Sequence, residues 1–83
     1  MQTVVLRLPN IDRSYTVKGL TVEQATLVKI AAKGDKMKLV IGLLVQGVVE
    51  PHLSIGEADQ LCLDHAQEAA QIAAEIIKLT TGK

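Results

Sequence analysis

Val4-Val5-Leu6-Arg7-Leu8-Pro9-Asn10-Ile11-Asp12-Arg13-Ser14-Tyr15-Thr16-Val17-Lys18 is the stretch on which the fold class turns. Val4, Leu6 and Leu8 alternate with Thr3, Val5 and Arg7, and Tyr15 and Val17 alternate with Ser14, Thr16 and Lys18. That two-residue period belongs to strands with one buried face. Pro9 presets φ, and Asn10 and Asp12 tolerate turn geometry, so residues 2–8 and 13–18 are expected to form a β-hairpin. An isolated hairpin is marginal in water, so its apolar side has to lie on something else.

Everything after it reads as helix. Gly19-Leu20 ends the hairpin, and Thr21 with Gln24 three residues on fits a capping box. Leu27, Ile30 and Ala31 share one helical face, widened by Val28 and Ala32, while Lys29 and Lys33 point elsewhere. Gly34 suits a helix stop, and Asp35 suits the cap of a second helix over 36–47. That second segment is apolar on nearly every side, which implies burial on most faces. Val40-Ile41 and Val48-Val49 also suit a strand, but the length and the Asp35 cap favour helix. Gly42 weakens such a helix and implies close approach by a neighbour. Glu50-Pro51 breaks the pattern, and Ser54 with Glu57 forms a second capping box. Along the last stretch Cys62, Ala69, Ile72, Ile76 and Leu79 make one seam, with Ala66 and Ala73 beside it. Asp64 with Gln67 offers a fresh cap, so residues 54–80 are either one helix or two, 55–63 and 65–80; residues 80–83 are expected to fray. The expected fold is α+β and mostly α: residues 1–83 as one domain, an N-terminal hairpin followed by three or four helices over 21–80.

Leu, Ile and Val make up 27 of the 83 residues, enough for an aliphatic core. A domain this small seldom draws more than about 3–5 kcal/mol from one core. One cysteine, Cys62, makes no internal disulfide and points to a reducing compartment, so self-association is the expected remedy and a homo-oligomer the expected state. The net charge is zero but unevenly placed. Residues 1–38 carry seven basic and three acidic side chains; residues 39–83 carry two basic and six acidic ones. The halves either neutralise one another within the fold or meet head to tail between copies. No signal peptide is expected from the first residues, and the longest apolar run, Leu39 to Val49, is well short of the roughly 20 residues of a membrane span.

Chemistry is hard to find. Cys62 and His65, with Asp59 near, fall short of a zinc set, and His52 is the only other soft candidate; no metal and no cofactor are expected. No nucleophile elbow, P-loop or dinucleotide turn occurs, so the chain is not expected to be an enzyme. Lys29, Lys33, Lys36 and Lys38 bracket a helix–Gly–helix junction, which invites the alternative of a small helix-turn-helix-like DNA-binding regulator. A recognition helix reading Leu39-Val40-Ile41-Gly42-Leu43-Leu44-Val45 would expose aliphatic surface to the groove, so solvated lysines are the better account and no nucleic acid is expected. What remains is surplus apolar surface. Leu43, Leu44, Val48, Val49, Pro51 and Leu53 are the expected protein-binding residues, because they exceed what a small core needs.

The order of segments resembles the small tail assembly chaperones of long-tailed bacteriophages and prophages. The likeness runs over residues 19–82: Gly19-Leu20-Thr21 opening a helix, Gly47-Val48-Val49-Glu50-Pro51, Leu53-Ser54 with Glu57-Ala58, and a last helix ending Ile76-Ile77-x-Leu79-Thr80-x-Gly82. Its firmest piece is the stretch at 47–54. The chain departs from the family in lacking a Gly/Pro-rich break before a last helix unusually rich in alanine. The resemblance implies a non-catalytic protein of the host bacterial cytoplasm that binds the tape measure protein and the tail tube protein during tail morphogenesis. A structural tail or head-completion protein is the other alternative.

Overall fold

The computed structural model describes residues 3–81, so the expected strand residue Gln2 and residues 82–83 lie outside it. Strands β1 (Thr3–Leu8) and β2 (Arg13–Lys18) pair antiparallel from Thr3↔Lys18 to Leu8↔Arg13. They are joined by a 3-10 turn over Pro9–Ile11. Asp12 closes that turn at φ 52, its N–H donating to the Pro9 carbonyl at 3.2 Å. Aspartate tolerates this left-handed geometry better than most residues. Leu8, Tyr15 and Val17 are buried, Val4 and Leu6 are half-buried, and Thr3, Val5 and Arg7 face outward, which is the alternation of the sequence.

Helices α1 (Val22–Ala32) and α2 (Lys36–Gly47) follow. Thr21 caps α1 with its full capping box, and the Asp35 carboxylate accepts from the backbone N–H groups of Met37 and Lys38 at α2. Between them Lys33 (φ 50) and Gly34 (φ 81) turn the chain left-handed. Without pause α2 runs into a third strand, β3 (Val48–Glu50). This strand pairs antiparallel with β2, Val17↔Val48 and Thr16↔Glu50, and the one-residue excess leaves Val49 bulged and exposed. The fold class is therefore α+β, with the hairpin extended to a three-stranded sheet ordered β1-β2-β3 and four helices. Val48-Val49 suits a strand in the sequence as well, but a run of only three residues with a proline next in line is too short for periodicity to separate from the helix before it.

Helix α3 (Ile55–Asp64), capped by Ser54 and Glu57, and helix α4 (Ala66–Thr80) complete the chain. The open alternative resolves to two helices that meet at His65, which ends one and starts the next. Asp64 does not cap the second: it is the last residue of α3, and its carboxylate accepts from Gln60 at 2.9 Å. Thr80 does not fray. Its hydroxyl accepts from the Leu20 N–H at 2.9 Å and donates to the Ile76 carbonyl, tying the end of α4 to the start of the helical part. There Gly19 passes so close that a Cβ would stand 2.7 Å from the Leu79 backbone.

Helix α2 is the centre of the packing. It touches α1, α3, α4 and β3, while α4 lies against β2. Leu44, Val17, Ile72 and Ile76 are the largest fully buried side chains, and they come from three elements, α2, β2 and α4, that meet in the core.

Candidate functional site

Of the six residues expected to form a binding surface, four lie inside. Leu44 is 0 % exposed, Val48 2 %, Leu43 6 % and Leu53 7 %. Only Val49 and Pro51 face solvent. The correction has a physical cause: β3 seats Val48 beside Val17, and α1, α3 and α4 close over α2, so the four inner side chains are consumed by the core.

The free apolar surface is elsewhere. On α1 the centre of the expected inner face is turned outward, Leu27 being 65 % exposed and Ile30 64 %, with Ala31 exposed as well; Val22, at the start of the helix, is 83 % exposed. The inner face belongs to Val28 and Ala32, and a Cβ on Gly42 of α2 would meet Val28 Cγ1 at 2.9 Å. The close approach expected at Gly42 is thus made by Val28 of α1. Two signals in the sequence point this way. Ala25 and Ala32 let a neighbouring helix come near, whereas Leu27 and Ile30 are hemmed by Glu23 and Thr26. On α3 the outward row is Ile55, Asp59 and Leu63, four residues apart, with Ile55 70 % and Leu63 66 % exposed.

Below α1 an apolar groove of about 330 Å³ opens between α1, α2 and the end of α4. Leu20, Ala25, Val28, Leu39, Leu43 and Ile77 line it, and Lys29, Thr80 and Thr81 supply its polar edge. Leu43 takes part in it as a buried floor. Ile77, 47 % exposed, stands at the rim. Helix-in-groove recognition uses surfaces of this composition.

A polar cleft of about 340 Å³ lies at the opposite chemistry, lined by Arg13, Tyr15, His52, Glu57, Asp64 and His65 among others. Its groups are largely engaged with their own elements. Arg13 Nη1 donates to the Tyr15 hydroxyl at 3.4 Å, which raises the guanidinium pKa. The N–H of Ser54 donates to the Glu57 carboxylate at 3.0 Å, and this bond, with the Ser54 side chain second, holds that carboxyl below its ordinary value. Cys62 is 4 % exposed, and burial, with Asp59 second, pushes its thiol up, away from the thiolate that nucleophiles and metal ligands need. Among the described residues no three His, Cys, Asp or Glu side chains converge as a metal set, and no helix is long and apolar enough to cross a membrane.

Lys29, Lys33, Lys36 and Lys38 are all exposed around the α1–α2 turn. Helix α2, by contrast, is packed by α1, α3 and α4 along the segment that a DNA-reading helix would have to present. Comparison with family models, with curated proteins and with solved structures finds no match.

Proposed function

We propose that this protein is a non-enzymatic assembly chaperone of bacteriophage tails, acting in the host cytoplasm on the tape measure protein and the tail tube protein. The observation that carries the reading is the groove between α1, α2 and α4: an aliphatic trough left open in a domain whose core is already full. A long amphipathic helix is a client suited to it, because an apolar stripe fills the trough and each copy adds a weak contact along the client. The resemblance at residues 47–54 supports the family, although in this fold Gly47, Val48 and Leu53 of that stretch belong to the buried scaffold.

The test is co-expression with the tape measure protein encoded beside it. The wild-type chain is expected to bring that protein into the soluble fraction. Ile77→Asp, which places a charge at the groove rim without entering the core, is expected to abolish the rescue while circular dichroism stays helical. Rescue that survives Ile77→Asp removes the groove from the reading; no rescue by wild type removes the chaperone.

A further inference from the structure

The outward faces of α1 and α3 are both aliphatic, and they differ in charge. Helix α1 and its cap carry Lys29 and Lys33 against a single acid, Glu23, and Lys36 and Lys38 follow in the first turn of α2. Around Ile55 and Leu63 stand Glu57, Asp59 and Asp64, and α3 contains no lysine or arginine. Both helices pack on α2, and they share no packed face with each other. One copy therefore cannot join the two faces. The charge imbalance between the halves of the sequence is not neutralised at these surfaces inside the domain.

A face-to-identical-face pairing would bring together two α1 faces of net positive charge, or two α3 faces of net negative charge. Like charges opposed across a contact are destabilising. Unlike faces avoid that and bury both aliphatic rows. We propose that copies of this chain associate head to tail, the α1 face of one (Val22, Leu27, Ile30, with Lys33 at its end) docking on the α3 face of the next (Ile55, Asp59, Leu63). Such a heterologous contact leaves one free face of each kind at the ends of any pair. It grows into a ring where the rotation closes and into a filament where it does not. The inference deepens the chaperone reading by naming a second copy as partner, and its test uses the protein alone, so client binding stands or falls separately.

Two exposed substitutions separate the outcomes, Ile30→Asp on α1 and Leu63→Asp on α3. Single-helix faces give transient contacts, so sedimentation is followed at low salt up to about 1 mM protein. Wild type is expected to form species larger than dimers, weakened as salt is raised. Each variant alone is expected to stay monomeric over a range at least tenfold higher in concentration. Mixed in equal amounts, they are expected to form a one-to-one dimer that grows no further, because each supplies the face the other lacks. A wild type that stays monomeric throughout overturns the proposal, as does association that survives both substitutions. A mixture that stays monomeric also overturns it, and so does one variant associating as wild type while the other does not, which marks a symmetric contact instead. Circular dichroism of both variants checks that the folded chain is what is measured.

Discussion

A Cβ at Gly42 would stand 2.9 Å from Val28 Cγ1, and Val28 is buried and β-branched, with little freedom to turn aside. Helix propensity alone favours Gly42→Ala by about 1 kcal/mol. Overpacking costs about 1–3 kcal/mol and should win. Gly42→Ala is thus expected to destabilise in urea titrations, and Gly42→Ala with Val28→Ala is expected to cost less than the sum of the two single changes. Leu44 and Leu27 form a second contrast. Both are leucines in helices, yet Leu44 is 0 % exposed and Leu27 65 %. Leu44→Ala should lose about 2–5 kcal/mol, and Leu27→Ala less than about 0.5 kcal/mol. The sequence pattern assigns Leu27 to the packed stripe and Leu44 to a free surface, the reverse of their places here. Side-chain hydrophobicity cannot separate them, because what decides is which neighbour can come close, and that is set by Gly42, Ala25 and Ala32.

At the scale of elements, local chemistry was legible. Thr21 with Gln24, Asp35, and Ser54 with Glu57 start helices where the sequence places them, since a cap is a contact within four residues. Strand β3 and the end of α4 depend on partners far along the chain, Val17 and Leu20, and no short window contains them. The α3 cap also carries a pH dependence. The Glu57 carboxyl is held below its ordinary value in the fold, so its contribution is complete above the unfolded value of about 4.3 and is lost as pH falls through the lower folded value. Glu57→Gln keeps an acceptor for the Ser54 N–H but does not titrate. Its urea midpoint is expected to fall less steeply than wild type's on acidification below about pH 4.3. At the other end, Thr80→Val removes the acceptor of the half-buried Leu20 N–H and is expected to cost about 1–3 kcal/mol, with Thr80→Ser restoring most of it.

For the molecule as a whole, the expected α+β class and single hairpin-plus-helices plan hold, because alternation and capping are enough to specify them. The site was less legible. Residues 43–53 continue the apolar run that starts at Leu39 and were therefore the natural surface, but a third strand and three flanking helices absorb Leu43, Leu44, Val48 and Leu53. The groove draws on Leu20, Val28, Leu39 and Ile77, residues scattered over most of the chain and assembled only by α2.

The central position of α2 also bears on how the domain breathes. Its middle turns are enclosed by α1, α3 and α4, so no local fraying exposes their backbone N–H groups to solvent deuterium. The slowest amides of residues 43–44 should exchange only when the entire domain opens. Their protection would then match the free energy from chemical denaturation, while the first turn of α1 and the tip of the hairpin exchange orders of magnitude sooner. A helix held on three sides becomes an internal gauge, readable amide by amide, of the domain's total stability.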